Sequence, residues 1–573
     1  MVRVALGQLD LTVGDIDGNT ARVIETIQRA ADAQAQIVAL PELAIPGYPP
    51  EDLVLKRSFV QANIEAVGKV AAATHDVMAV VGFVDPGGDG FLHNAAAICH
   101  QGKVVATYHK HLLPNYGMFD EQRYFEPGSD HVLLDTPQGV VGVCICEDLW
   151  SPTGPAISQG DAGAQLVLNI NASPFHKNKL EERTDLLAER ARRARAAIAY
   201  VNMVGGQDEL VFDGGSLVVD ADGKLIARFP QFVEHFGIID VFMGEVHGHG
   251  SPSMRRVTLA LPDAQGESTS ECADQLDDSH EVYDALTLAL CDYVVKNSFE
   301  KVVIGLSGGI DSTLTAAIAV DALGSENVLG VAMPSEFSTS HSIQDAKALA
   351  ANLDIEMLEI PIAPIYRAYI DVLRDSFAQS EAGLAEENLQ ARIRGNLLMA
   401  ISNRYGHLVI ATGNKSEMAC GYATLYGDMA GGFALLKDVF KTEVYDLCRY
   451  RNSVSPVIPE NVLIKPPSAE LRHDQKDTDS LPAYEILDPI LEGYIERDEG
   501  IAELADAGHD RATVEKVIAL VDRAEYKRRQ APPGPKVTTK AFGRDRRLPI
   551  TNRWREGARS HLPERSVGQD PTD

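Results

Sequence analysis

The sequence predicts an α/β protein built from two folded parts. Val- and Ile-rich runs of strand length recur along the chain, with amphipathic helical stretches between them. That is the pattern of a layered fold with buried strands. It fades once, over residues 245–278, into Gly, Ser, Pro and acidic residues, and then resumes. A fading of this kind marks a domain linker. A chain of 573 residues is also long for one domain.

The opening "MVRVALGQLD" alternates as a strand does. "QIVALPE" (36–42), "VMAVVGFV" (77–84), "VVGVCICED" (140–148), "QLVLNINAS" (165–173) and "AIAYVNMVG" (197–205) read as buried strands, and "LEERTDLLAERARRARAAIA" reads as a helix. "GGSLVVDADGKLIARF" carries Asp-Gly in its turn and predicts a hairpin. After the linker, "EVYDALTLALCDYVVKN" predicts a helix, and "KVVIGLSGGIDSTLTAAIAVDAL" opens a second α/β unit. Its further strands are "NVLGVAMP" (327–334), "IEMLEIPI" (355–362) and "HLVIATG" (407–413). The polar "RHDQKDTDSLP" (472–482) and the chain after about Ala531 read as irregular. The expected organisation is a domain over 1–245, a linker over 246–280, a domain over 281–540 and a tail over 541–573.

Lys and Arg total 52 against 82 Asp and Glu, a formal net charge of −30. So acidic a surface repels phosphate backbones and anionic lipid, which argues against nucleic acid or a membrane as partner. No leader peptide and no membrane-length apolar run is evident, so a cytoplasmic protein is expected. The seven cysteines are odd in number and sparse, and they form no C-x-x-C. Neither a disulfide framework nor a zinc site is suggested.

The stretch "GLSGGIDSTL" (305–314) follows an apolar strand and opens a helix. Gly308 and Gly309 permit a turn whose N–H groups face one concavity, Ser307 and Ser312 add hydroxyls, and the helix adds its positive end. Gly305, Leu306 and Ile310 complete this phosphate cradle. A carboxylate inside it makes Asp311 a candidate Mg²⁺ ligand. The lysine of a P-loop is missing, which argues against terminal phosphoryl transfer. The loop resembles that of the ATP pyrophosphatases, which cleave between the α and β phosphates and form adenylates.

"ENLQARIRGNLLMAISNRYGHLVIATGNKSEMACGYATLYGD" (387–428), "KPPSAELR" (465–472) and "YKRRQAPPGPKV" (526–537) resemble the NAD synthetases over nearly all of 281–540. The resemblance implies a doubly wound nucleotide fold with a parallel sheet. It also implies ATP-dependent amidation of nicotinic acid adenine dinucleotide (deamido-NAD) through an acyl-adenylate, with Mg²⁺ as cofactor and a homo-oligomeric assembly. Within it Thr412 matches an ATP contact, Asn388 and Lys527 match dinucleotide contacts, and Glu417 matches a carboxylate near both metal and substrate.

Amidation needs ammonia, which is mostly protonated at neutral pH, so a glutaminase domain would supply it locally. Three residues of the first part could do that chemistry: Glu42 in "ALPELA", Lys110 in "YHKHLLP" and Cys146 in "VCICEDLW". A thiolate attacks the amide carbon, a carboxylate moves the proton and an ammonium stabilises the oxyanion. Cys144 lies on the same strand face as Cys146, and alternation alone does not choose between them.

The Glu–Lys–Cys order, with "HKHLLPNYGMFDEQRYFEPG" (109–128) and "GVCICEDLW" (142–150), resembles the nitrilase superfamily over roughly residues 1–245. That likeness implies an αββα sandwich, with Cys146 as nucleophile, Cys144 as core and Glu121 as a second active-site glutamate. Likeness to the glutaminase domain of NAD synthetases implies glutamine contacts at Tyr116, Ser173 and Lys179, the last standing where arginine is expected.

Other families are set aside on residues. Asparagine synthetases use an N-terminal cysteine, and residue 2 here is Val2. The G-x-C-x-G elbow of GMP synthetases is not found. Sulfur-inserting tRNA enzymes want paired cysteines and a basic surface. The intact Ser307, Asp311 and Glu417 argue against a plain amidase carrying a silent nucleotide domain, and a nucleotide-sensing scaffold is distinguished by releasing no pyrophosphate whatever substrate is added.

Overall fold

The computed structural model describes residues 1–88, 90–245, 254–264, 268, 272–377 and 383–554. The chain divides into two compact units. One comprises Met1–Lys301, Ile318–Asn327 and Gly534–Val537; the other comprises Val302–Ala317, Val328–Pro533 and the described residues from Thr538 onward.

The first unit holds two sheets. One has six strands in the order His235–Val241, Val2–Gln8, Ile37–Ala39, Met78–Asp85, His93–His100 and Lys103–His109. The other has seven, in the order Leu225–Arg228, Leu217–Val219, Ala197–Asn202, Leu166–Asn171, Gly139–Ile145, His131–Thr136 and Met254–Thr258. Side chains of both sheets, among them Leu6, Val80, Ile98, Val143, Leu168 and Val201, share one buried core. On its other face the first sheet packs with helices Ile16–Asp32 and Arg57–Ala72, through Val23, Ile27, Val67 and Val70. Helix Lys179–Ala194 lends Leu180, Leu187 and Ala191 to the core of the second sheet. This is the expected αββα sandwich.

Strands are short where function intrudes. "QIVALPE" pairs only over Ile37–Ala39, because the chain then leaves the sheet to carry Glu42. The predicted helix 180–199 ends at Ala194, Arg195 turns left-handed at φ 54°, and Ala197 begins the next strand. The hairpin forms as expected, with Gly223 at φ +78° in its turn. The stretch read as linker contains the edge strand Met254–Thr258, paired parallel with His131–Asp135. Its charged "MRRVT" shows no alternation that would announce a strand.

The second unit carries a five-stranded, fully parallel sheet in the order Glu356–Glu359, Val328–Ala332, Val302–Gly305, Leu408–Ala411, Phe433–Ala434. The chain therefore winds outward from Val302–Gly305 in one direction and then, through Leu408–Ala411, in the other. Ligands of doubly wound folds bind at the carboxyl ends of strands flanking such a switch. "GLSGGIDS" leaves the sheet at that point. The segment 472–482 contains one short 3-10 helix, Asp477–Asp479, anchored by the Tyr484 hydroxyl donating to Asp477 at 2.9 Å.

Candidate functional site

In the first unit, strand Gly139–Ile145 runs into the short helix Glu147–Trp150, and Cys146 occupies the junction at φ 42°, ψ −102°. A non-glycine residue seldom adopts such a backbone, and it persists only where its surroundings hold it. Here Asp148 holds it. One carboxylate oxygen accepts from Tyr108 Oη at 2.7 Å and Ile145 N at 3.1 Å; the other accepts from His111 N at 3.1 Å and Leu112 N at 2.9 Å. Asp148 thus ties the cysteine elbow to the loop that follows Lys110. Burial pushes its carboxyl up to about 6 against those bonds.

Glu42 reaches the same place from the first sheet. Its loop lies directly on Gly82, where a Cβ would sit 2.2 Å from Leu43 N and 2.5 Å from Pro41 O, so only glycine admits it. Lys110 Nζ donates to Glu42 at 2.6 Å and to Glu121 at 2.8 Å. Glu42 and Lys110 are each 1% exposed. Asn94 Nδ2 donates to Glu42 at 2.7 Å and Ala172 N donates to it at 3.1 Å, while Tyr48 Oη donates to Glu121 at 3.0 Å.

Burial alone would lower the lysine, but Glu121, Glu42 and Cys146 outweigh it and hold the ammonium charged well above its ordinary value. Burial raises Glu121 to about 7 despite Lys110, and Glu42 adds to that rise. It also drives the Cys146 thiol well up, with Glu42 the strongest charged contributor and Lys110 opposing. Cys146 is therefore held as a neutral thiol among two carboxyls and one ammonium. It needs a base to become reactive.

The candidate glutamine contacts border this elbow. Tyr116 Oη donates to Glu147 at 3.0 Å, and Lys179 Nζ lies 3.9 Å from the ring centre of Trp150. Lys179 also pairs with Glu182 at 3.3 Å. Ser173 N donates to Asn202 Oδ1 at 2.9 Å, one residue after the amide that binds Glu42. Cys144 stays inside the strand, its sulfur accepting from Asn169 Nδ2 at 3.2 Å.

In the second unit the loop 305–312 is pre-folded. Ser307 and Ser312 hydroxyls lie 3.1 Å apart, Gly309 N donates to Ser307 Oγ at 3.2 Å, and Ser312 Oγ donates to Gly309 O at 3.1 Å. Gly308 has φ +73°, and a Cβ there would meet Ser342 O at 2.1 Å. The side chains of Leu306 and Ile310 are buried in the core, so these two residues offer a ligand only backbone.

Asp311 Oδ1 accepts from Asn414 Nδ2 at 2.8 Å, and its other oxygen pairs with Lys441 Nζ. The same Nζ lies 3.4 Å from Glu417 Oε1. Asp311 and Glu417 thus converge on one cation, and that cation is a lysine which sequence reasoning did not single out. Burial and the Asp311 charge push Glu417 up to about 8, with Lys441 opposing. Burial alone would lower Lys441, but Asp311 and Glu417 hold its ammonium well above the ordinary value. No group of three or more His, Cys, Asp or Glu that could hold a metal occurs among the described residues. Two carboxylates do fit Mg²⁺, which takes few protein ligands and completes its shell with water and phosphate.

Thr412 and Gly413 follow strand Leu408–Ala411 at its carboxyl end. Asn388 Oδ1 accepts from Thr424 Oγ1 at 2.8 Å. Lys527 Nζ donates to the carbonyls of Gly421 and Ala423, both at 2.7 Å. Asn388 and Lys527 therefore clasp one segment, 421–424, from two sides.

A buried Glu–Lys–Cys set on an αββα sandwich in one unit, and a pyrophosphate-type loop on a parallel sheet in the other, define a class of two-part enzymes that pairs amide hydrolysis with nucleotide-dependent ligation. Residues 3–247 match the carbon-nitrogen hydrolase family and residues 282–531 match the NAD synthase family. The chain belongs to the glutamine-dependent NAD(+) synthetase family. It is 46% identical to the glutamine-dependent NAD(+) synthetase of Aquifex aeolicus (strain VF5) over 97% of this chain and 100% of that one. It is 47% identical to that of Thermotoga maritima (strain ATCC 43589 / DSM 3109 / JCM 10099 / NBRC 100826 / MSB8) over 97% and 99%. Among solved structures, the glutamine-dependent NAD+ synthetase of Acinetobacter baumannii in complex with adenosine diphosphate superposes with a TM-score of 0.75. It is 41% identical, covering 97% of this chain and 99% of that chain.

Proposed function

We propose that the chain amidates deamido-NAD to NAD at the expense of ATP, with ammonia released from glutamine in its first unit. The observation that carries this is the buried ion-paired set Glu42–Lys110–Glu121 beside the strained Cys146 elbow. It supports a glutaminase that feeds the ligase chemistry of the loop 305–312.

Glu42 takes the Cys146 proton as sulfur attacks the glutamine carboxamide, and Lys110 with a backbone amide holds the oxyanion. Ammonia leaves, and water activated by Glu42 cleaves the thioester to glutamate. Glu121 keeps Lys110 aimed. Tyr116, Ser173 and Lys179 bind the glutamine.

In the second unit the nicotinate carboxylate attacks the α-phosphorus of ATP and pyrophosphate leaves. Ammonia then displaces AMP from the acyl-adenylate. The loop amides and the hydroxyls of Ser307 and Ser312 take the phosphate oxygens, with Thr412 at the nucleotide. Asp311 and Glu417 would hold Mg²⁺, whose bound chemistry is to neutralise charge between the carboxylate and polyphosphate. Lys441, already between those carboxylates, supplies a second positive charge at the same point. Asn388 and Lys527 present segment 421–424 to the dinucleotide.

Two catalytic domains over about 1–245 and 281–540, with 246–280 between them and a tail over 541–573, belong to the proposal, although strand Met254–Thr258 and helix Asp278–Lys296 lie in the first unit. A cytoplasmic location and a homo-oligomeric assembly belong to the same proposal. Among the described residues no helix is long and apolar enough to cross a membrane.

Pyrophosphate release with ATP, Mg²⁺ and deamido-NAD tests the proposal. Turnover is expected with either glutamine or ammonium. Glutamine hydrolysis without pyrophosphate release from either nitrogen source would require another carboxylate substrate.

A further inference from the structure

Glu281 lies in the stretch 248–281, between the two segments matched by family models. It occupies the first turn of helix Asp278–Lys296, capped by Asp277, and it is buried within the first unit. Both of its carboxylate oxygens are used. One accepts from the backbone N–H of Asn178 at 3.0 Å, and the other accepts from Gln231 Nε2 at 2.9 Å.

Asn178 is left-handed at φ 67° and sits at the N-terminus of helix Lys179–Ala194, with no side-chain cap of its own. The first amides of a helix have no partner within it, so an acceptor from elsewhere in the unit is needed to hold this solvent-facing turn. Glu281 is that acceptor. The neighbouring Lys177 N–H donates to Val537 O at 2.9 Å, so both amides preceding Lys179 are engaged.

The second oxygen continues the chain of bonds inward. Gln231 Nε2 also donates to Asp213 Oδ2 at 3.3 Å. Arg183 grips Asp213 with both terminal nitrogens, at 2.9 and 3.1 Å, and neither side chain is exposed. Asn202 Nδ2 donates to Asp213 at 3.3 Å, and its carbonyl oxygen accepts from Ser173 N at 2.9 Å. A run of polar contacts thus leads from the Ser173 amide through Asn202, Asp213 and Gln231 to Glu281, and from Glu281 to the amide of Asn178, next to Lys179.

We infer that Glu281 is a positioning residue of the glutamine-hydrolysing site, fixing the Asn178–Lys179 turn and, through Gln231 and the Arg183–Asp213 pair, the wall that receives glutamine. This rests on the glutaminase role proposed for Cys146. It goes further in assigning part of the pocket's geometry to a residue outside the matched hydrolase segment. Helix Asp278–Lys296 is therefore not a passive connector.

Glu281→Gln and Gln231→Ala in the full-length chain test the inference. A glutamine side chain at 281 faces the same two donors with one acceptor oxygen and one amide donor, so one bond must be lost. Losing a hydrogen bond to a charged group corresponds to a rise of about tenfold or more in the glutamine KM, with kcat for hydrolysis within about threefold of wild type. Ammonium-driven amidation and alkylation of Cys146 by iodoacetamide should stay at wild-type rates. An unchanged glutamine KM in both variants, with the wild-type chain hydrolysing glutamine normally, would overturn the inference alone. Equal loss of glutamine- and ammonium-driven turnover would also overturn it, by showing Glu281 to be a general support of the fold. A wild-type chain that hydrolyses no glutamine would overturn the glutaminase role, and the inference with it.

Discussion

Lys110 and Glu42 form an ion pair of 2.6 Å in which neither side chain is exposed to solvent. Glu121 shares the same ammonium at 2.8 Å. Two carboxyls and one lysine in a dry site leave one charge in excess. The structure relieves it by raising Glu121 to about 7, chiefly through burial.

Lys110→Met removes the only cation paired with these two carboxylates among the described residues. Breaking a buried pair in this way costs about 3–5 kcal/mol. The loss should grow with pH, because the orphaned carboxyls can escape by protonation only in acid. Urea unfolding at two pH values checks this, and glutamine hydrolysis should vanish in the same variant. Equal stability to wild type at neutral pH would show that the pair carries no structural load.

Gly308→Ala tests the phosphate loop. The backbone there is at φ +73°, and the added carbon would stand 2.1 Å from Ser342 O. The turn must open, so pyrophosphate release should fall at least about 100-fold with both nitrogen donors, while glutamine hydrolysis continues. A loss seen only with glutamine would contradict the assignment.

Glu417 gives a pH signature. Its folded value is about 8 against an ordinary 4.5, raised by burial and then by Asp311. Because the folded state binds the proton more tightly, the stability this group contributes is full below its ordinary value. That stability is lost as pH rises through about 8. Glu417→Gln should flatten the fall in stability between about pH 5 and pH 9 by about 1–3 kcal/mol. Parallel stability–pH curves for variant and wild type would show that Glu417 does not titrate there.

How much of this was legible in the sequence depended on whether a contact is local. Cys146 was legible as the end of a strand in "VCICEDLW", but alternation left it level with Cys144, and only the likeness carried by "GVCICEDLW" separated the two. The Gly308 turn announced itself, through two glycines between strand and helix. The supports did not. Asn94 meets Glu42 from 52 residues away, Tyr48 meets Glu121 from 73, and Lys441 meets Asp311 from 130. Periodicity carries no information about such pairings.

Lys441 did leave one trace. It is the first residue of helix Lys441–Val454, where a positive charge opposes the helix dipole. A cation placed against its own helix is there for another reason, here Asp311 and Glu417. The edge strand Met254–Thr258 left none, since "MRRVT" does not alternate and its pairing partner lies over 100 residues earlier.

The most direct measurement is nitrogen-donor dependence in Cys146→Ala, reading pyrophosphate release with ATP, Mg²⁺ and deamido-NAD. A glutaminase separate from the ligase predicts no turnover with glutamine and wild-type turnover with ammonium. Loss of both would contradict the division of labour between the two units, and retained glutamine-driven synthesis would show that Cys146 is not the nucleophile.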